Sequence, residues 1–482
     1  MLPVDRLSTA VALVASNAPT GRGMLFGTSG AKTASSKKFC ISKGDVLIET
    51  QTCAGTPCFE RPSARALTDE VRGASKAQSF MRIAHISNFW PNHLGHAHYT
   101  DNLINGIRAN RPTQHVVLGE GRSDALDNER VRCIPCWDRK ADYVDGIVAT
   151  AKAEKIDIAY VQYSNDLFGD DNRFPRLLQK LNEVGVKSII TTHSVYPPKW
   201  KSRYAPGRTI EAFDRATAEH AACFQVHSAR MREDLIARGV DSGQISIIAH
   251  GSKPVERRDQ AESRKKLGIP VDAKVVMFFG FIWLGKGVDG LLSSFAKLQK
   301  QVPEAYLYIG GYTRLKVFYT RFYMGYLRTR IKALGLNAKL WGDYVPEDEV
   351  PTMYSAADVV AMPYRQDYSS VSGVVHQTAG IGKLMLCSKI SKFDEVAESI
   401  SGELLVDPYD QRAWASGLQR LLTDREHAER MRAKIVKFGE DTSWPNVGAQ
   451  HVAMHDRLAA GLSASDGKPP TYAPGTPRST EK

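Results

Sequence analysis

From Met81 onward, short apolar runs alternate with segments whose apolar residues recur every three or four positions. MRIAHIS, HVVLG, IDIAYVQ and KSIITTH are near-continuous apolar runs of strand length. Between and around them lie helical stretches through Tyr99–Ala109, near Val144–Glu154 and over Pro175–Val184. Strands that are apolar on both faces, separated by helices, predict a parallel sheet covered on both sides. A polar, charge-dense segment, His250–Pro270, interrupts the pattern, and its first residues read as a linker. The alternation restarts with AKVVMFFG, a helix over Val288–Gln301, AYLYIGG, a helix through Arg328–Gly335, and AKLWGDY. Two further strands, Asp358–Pro363 and Leu384–Cys387, flank a polar loop and a short helix that opens at Ser372–Gly373. The expected fold class is α/β, with two doubly wound Rossmann-like domains facing a central cleft. Ligands in such sheets sit outside the carboxyl ends of the strands.

This pattern places one domain at 81–252 and a second at 253–440, with a closing helix at 441–461. Residues 462–482 are rich in Pro, Ser and Gly and are expected to be a disordered tail. Residues 1–80 lack sustained periodicity and are rich in Ser, Thr, Ala, Gly and Lys. They read as a disordered extension or a start placed too early, with Met81 opening the first strand. STAVALVASNA lacks a basic start and makes a poor secretory signal.

Composition narrows the function classes. Hydrophobic content of 43% and charged content of 24% are those of an ordinary globular protein. No apolar run is long enough to cross a bilayer as a helix. The net charge of +12 favours anionic partners. Seven scattered cysteines argue against a secreted disulfide framework. Cys133 and Cys136 form a lone C-x-x-C with no second pair downstream, which is a weak metal signal. His93, His96 and His98 fit no common metal spacing and have no nearby carboxylate in sequence, so no metal is expected.

The candidate chemistry lies at strand ends. A Ser- and Gly-rich loop that runs straight into a helix leaves backbone N–H groups unpaired at the positive end of the helix dipole, which suits a phosphate. Gly373 allows close approach of the backbone, and Arg365 just past the preceding strand can add a full charge. Lys286 sits in another strand-to-helix turn, where an ammonium can pair with phosphate; a solvated loop lysine is the alternative. Across the expected cleft, Gly95 and His96 precede a helix, and His193 ends the strand KSIITT, where imidazole can bond a hydroxyl or exchange a proton. The stretch Arg314–Lys332 interleaves basic and aromatic residues. It fits either an anionic surface or, more commonly, an amphipathic helix with its aromatic side in the core.

In order along the chain, these segments resemble the family-4 glycosyltransferases of the GT-B fold. The resemblance runs from about Met81 to Gly461. It is carried by MRIAHISNFWPNHLGHAHYTDNLINGI, DIAYVQYSNDLFG, SIITTHSVYPP, VHSARMREDLIARGV, ISIIAHGS, FFGFIWLGKGVDGLLSSF, the Asp343–Pro346 turn, AADVVAMPY, SGVVHQTAGIGKLML and TSWPNVGAQHV. The resemblance implies transfer of a sugar from a nucleotide diphosphate with retention at the anomeric carbon and without a metal or other cofactor. It makes His193, Lys286 and Arg365 the candidate catalytic residues. Gly95, His96, Ser369, Ser372, Gly373, Val374 and Gln377 become the candidate donor-binding residues. His193 would orient the donor sugar, Gln377 would meet the ribose, and the last helix would cross back onto the first domain.

Two departures stand out. The two glutamates of the family's E-x7-E motif fall at Ser369 and Gln377, and the arginine that accompanies the lysine is replaced by the run Phe281, Ile282, Trp283. One lost charge-assisted phosphate contact is worth about 1.5–3 kcal/mol, and Arg365 is the expected substitute. The partners implied are a UDP- or GDP-linked sugar and a sugar or lipid-linked acceptor, in polysaccharide or glycolipid assembly. The implied location is cytoplasmic, with peripheral contact at an anionic inner membrane face. No recognised motif supports nucleic acid as a partner. A GT-B protein that has lost catalysis and serves in binding or assembly is the alternative.

Overall fold

The computed structural model describes residues 80–89, 95–121, 131–196, 209–254, 256–313 and 318–465. The sequence expectations for residues 1–79 and 466–482, and for His93, lie outside the described residues.

The first half builds a sheet from β1 (Arg82–Ser87), β2 (Gln114–Glu120), β3 (Arg132–Trp137), β4 (Ile158–Tyr163), β5 (Lys187–Thr192), β7 (Cys223–Val226) and β8 (Ile245–Ile247). A two-residue strand, β6 (Ser194–Val195), stands outside it. The strand order is β3-β2-β1-β4-β5-β7-β8, and every pairing is parallel. The register sets Ile83 beside His115 on one side and beside Ile158 on the other. All six residues of β4 are buried, which is why IAYVQY reads as an unbroken apolar run rather than an alternating one. Cys133 and Cys136 lie on the edge strand β3 as free thiols.

The second half repeats the plan with β9 (Lys274–Phe279), β10 (Ala305–Gly310), β11 (Ala338–Trp341), β12 (Val359–Met362), β14 (Leu384–Ser388) and β15 (Leu405–Val406). Their order is β11-β10-β9-β12-β14-β15, again parallel throughout. In each sheet the order reverses beside the first strand, between β1 and β4 and between β9 and β12. The carboxyl ends at those points are where a doubly wound sheet opens a crevice. A short strand between β12 and β14, β13 (Ser369–Ser370), pairs antiparallel with β6 and so joins the two halves.

Five helices matter for the site. They are α1 (Gly95–Arg108), α2 (Val288–Gln301), α3 (Phe318–Ala333), α4 (Gly373–Ile381) and α5 (Trp444–Ala459). Helix α3 begins ten residues before the helical period through Arg328–Gly335, within the Arg314–Lys332 stretch read as an amphipathic helix, and its buried Tyr323, Met324 and Leu327 put one apolar side into the core. Phe322 and Tyr326 remain exposed.

Helix α5 returns to the first half and lies along α1. A Cβ built at Gly448 would overlap the Gly106 carbonyl oxygen, so backbone meets backbone at this crossing. Asn110 Nδ2 donates to the Pro445 carbonyl at 2.7 Å, and Arg111 holds both oxygens of Asp456 at 2.7 Å. Beneath them the Tyr160 hydroxyl is hydrogen-bonded to His451 Nδ1 at 2.8 Å and to His455 Nε2 at 2.6 Å. One apolar cluster runs from Ile83 and Leu103 through Trp444 into the second sheet, so the two halves share core.

Candidate active site

Three loops leave the carboxyl edge of the second sheet side by side, because β9, β12 and β14 are neighbours. The loop after β9 carries Lys286 at the end of a single 3-10 turn. Gly287 follows with φ 65°, and a Cβ there would overlap the Pro363 carbonyl oxygen, so the close turn requires glycine. The Arg365 amide donates to the Gly285 carbonyl at 2.9 Å, pinning the loop after β12 to this one. Lys286 is half-buried, and its Nζ lies 3.5 Å from the centroid of the Tyr364 ring. Burial, with the Lys392 charge nearby, pushes the Lys286 ammonium down to about 7.

Helix α4 starts beside these loops. Ser372 occupies its N-cap with extended backbone and no capping bond from its side chain. The Val375 N–H donates to the Ser372 carbonyl at 2.9 Å, which leaves the Gly373 and Val374 N–H groups as those placed to meet an incoming anion. Gly373 is exposed, and a Cβ on it would stand 3.6 Å from His250 Nε2. Val374 is half-buried and faces Gly280. One turn on, Gln377 Oε1 accepts a bond from the Tyr354 hydroxyl at 3.2 Å.

On the first half, His193 leaves the end of β5 and is hydrogen-bonded through Nε2 to Gln162 Oε1 at 2.8 Å. Its ring begins a row of imidazoles that crosses the molecule. Ring centroids are 4.8 Å apart for His96 and His193, 5.5 Å for His193 and His227, 5.6 Å for His227 and His250, and 4.8 Å for His250 and His376. Tyr99 packs edge-on against His193, His227 and His250. At the far end His376 meets Glu395 at 3.2 Å and Ser252 Oγ at 3.0 Å. Burial, then the neighbouring rings, holds His193 and His250 well below the ordinary imidazole range, and burial takes His227 to about 4. At neutral pH these three rings are uncharged. A neutral imidazole at His193 can bond a hydroxyl without bringing positive charge to the strand end.

The structure brings Lys286, Ser372, Gly373 and Val374 together, and it sets His96 against His193. Two expected site residues are engaged elsewhere. Arg365 spends its guanidinium on Asp289, with Nη1 at 2.9 and 3.1 Å from the two carboxylate oxygens. Ser369 is buried in the β6–β13 ladder and donates to Asp234, a bond between the halves rather than into the cleft. Tyr196 and Tyr368 stack at 5.3 Å beside that ladder. Gly95 opens α1 with no neighbour within 4 Å of where a Cβ would stand. Where a second cation was sought, Ile282 is fully buried, Phe281 packs edge-on against Tyr312, and Trp283 fills the space beside Gly285.

The sequence reading missed His227, His250, His376 and Lys392. His227 follows CFQV just as His193 follows KSIITT, so the same strand-end argument would have found it. His376 and Lys392 gave no comparable local signal. Among the described residues no three His, Cys, Asp or Glu side chains are grouped to hold a metal ion.

Residues 259–438 match the family model for glycosyl transferases group 1. Curated relatives include D-inositol 3-phosphate glycosyltransferases. That of Corynebacterium efficiens is 29% identical over 49% of this chain and 55% of its own length. That of Corynebacterium urealyticum is 30% identical over 46% of this chain and 54% of its own length. The matches thus span little more than half the length of these relatives. Among solved structures, Anabaena Alr3699/HepE in complex with UDP superposes with a TM-score of 0.62 at 16% identity, covering 79% of this chain and all of that one. The sucrose-phosphate synthase of Thermosynechococcus elongatus gives 0.62 at 20% identity, with the same coverage. At those identities the likeness is one of fold: the architecture is GT-B, as the family resemblance implied.

Proposed function

We propose that the chain is a glycosyltransferase that moves a sugar from a nucleotide diphosphate to an acceptor, with retention and without a metal. The observation that carries this reading is the juxtaposition of Lys286 with the unfilled start of α4, at the switch point of a group 1 glycosyltransferase sheet. As the sugar departs, negative charge builds on the leaving phosphate, and a fixed ammonium and backbone N–H groups stabilise it there. His193, neutral and held by Gln162, orients the donor sugar. Gln377, supported by Tyr354, faces the ribose through its amide. The leaving phosphate itself helps to deprotonate the acceptor, so the scheme needs no protein base.

The UDP named for a structural neighbour makes a uridine donor the first to try. The acceptor we favour is a growing polysaccharide or a glycolipid, with the work done on the cytoplasmic side. No helix among the described residues is long and apolar enough to cross a membrane, and exposed Phe322 and Tyr326 on α3 support a peripheral contact with anionic lipid.

The commitment of Arg365 to Asp289 and of Ser369 to Asp234 favours one other reading, a degenerate site kept for binding or assembly. A thermal-shift screen of UDP, GDP and their common sugars separates the two. We expect at least one nucleotide sugar to raise the melting temperature by several degrees and to be turned over slowly by the purified protein. If none binds, the degenerate reading takes its place.

A further inference from the structure

The loop after β14 carries a second cation. Lys392 follows β14, and its loop therefore leaves the same sheet edge as those of Lys286 and Tyr368–Gly373. The residue is nine-tenths buried. Its Nζ lies 4.5 Å from the centroid of the Tyr368 ring and donates to Ser370 Oγ, directly before the Ser372–Gly373 helix start. The carboxylates nearest in charge are otherwise engaged: Glu395 meets His376, and Asp367 accepts bonds from Ser391. Neither Lys286 nor Lys392 has a carboxylate within ion-pair distance among the described residues, yet each feels burial, and Lys286 feels the other's charge. Two enclosed ammonium groups on aromatic faces repel one another until an anion lies between them.

We propose that Lys286 and Lys392 together form a two-cation subsite for an anionic group of the donor, Lys392 replacing the charge that Phe281–Trp283 lacks. The inference rests on the nucleotide-sugar reading of the cleft. The anionic group is the diphosphate or a carboxylate on the transferred sugar, and the two sources are separable.

Binding of UDP, UDP-glucose and UDP-glucuronate is measured by calorimetry on the full chain, wild type and two uncharged variants, Lys392→Gln and Lys392→Met. Near-UV circular dichroism checks the fold, and either variant that folds suffices. If Lys392 holds the diphosphate, all three ligands weaken by about tenfold or more. If it holds a sugar carboxylate, UDP and UDP-glucose keep their affinity and only UDP-glucuronate weakens. Unchanged binding of all three overturns the proposal. Lys286→Gln is the internal reference. Weakening there without weakening at Lys392 rejects the second cation alone, whereas wild-type protein that binds none of the three rejects the underlying reading as well.

Discussion

At the scale of single residues, the site depends on which charges are already spent. Lys286 and Arg365 stood as equals in the sequence, each a cation just past a strand. In the structure Arg365 neutralises Asp289 at the start of α2, whereas Lys286 lies over an aromatic ring and feels the charge of Lys392. We therefore expect Arg365→Ala to cost about 1–2 kcal/mol of stability, between the exposed and the buried ion-pair cases, and to change UDP affinity less than Lys286→Met does. Melting curves and calorimetry on the two variants test this; a larger affinity loss at Arg365 would reverse the assignment. The depressed Lys286 also makes binding proton-linked. Its free-state value of about 7 leaves it mostly neutral at pH 8, and a bound phosphate restores the charged form. Binding then takes up a proton, and affinity falls as pH rises above about 7. Calorimetry at pH 8 in two buffers of different ionisation enthalpy should give different apparent heats; identical heats refute the linkage. No sequence pattern distinguishes a spent charge from an available one, because the partners lie 76 residues away for Arg365.

At the scale of elements, the strands and most helices were legible because their signal is local. Apolar runs such as IAYVQY and VVAM sit buried on both faces of a parallel sheet, and the periodicity of Val288–Gln301 gives the helix bounds as found. Helix α3 was legible in two overlapping pieces, the amphipathic reading of Arg314–Lys332 and the helical period through Arg328–Gly335, and the structure joins them in one helix over Phe318–Ala333. The antiparallel pair β6–β13 was not legible at all. Two residues on each side carry no periodicity, and the pairing exists only once both halves are in place. The seat of α5 on α1 is likewise a matter of fit. Gly448 lets the backbones touch, so Gly448→Val should separate the helices and cost about 1–3 kcal/mol through overpacking. Ala449→Val, on the exposed side of the same turn, should be nearly neutral. Equal melting temperatures for the two variants would mean that the crossing does not constrain the helix.

At the scale of the whole molecule, the dominant feature is buried, uncharged histidine. Burial holds His193, His250 and His451 well below the usual imidazole value, with His227 and His455 at about 4 and His115 at about 3. In the unfolded chain these groups titrate near 6.5. Above that value both states are neutral and the full stability is present. Below it the unfolded chain binds protons that the folded chain refuses, so stability is lost as pH falls from about 6.5 towards about 4, at roughly 1.4 kcal/mol per pH unit for each such ring. Scanning calorimetry between pH 8 and pH 5 should show a melting temperature that is level down to about 7 and then drops. A flat or rising profile towards pH 5 would show that the rings are not neutral and enclosed.

The sequence by itself determined the α/β class, the two-sheet plan, and the strand-to-helix turns at Lys286 and Ser372–Gly373. Each of these is written within a few residues of chain, in hydrophobic period and turn chemistry. Only the tertiary structure decided that Ser369 and Arg365 are bound to Asp234 and Asp289, that five histidines from positions 96 to 376 form one row, and that Lys286 and Lys392 rest on the Tyr364 and Tyr368 rings. Those outcomes depend on strand order, which places β14 next to β12 and β5 next to β7. Strand order is set by how whole sheets pack, and no local stretch of sequence carries it.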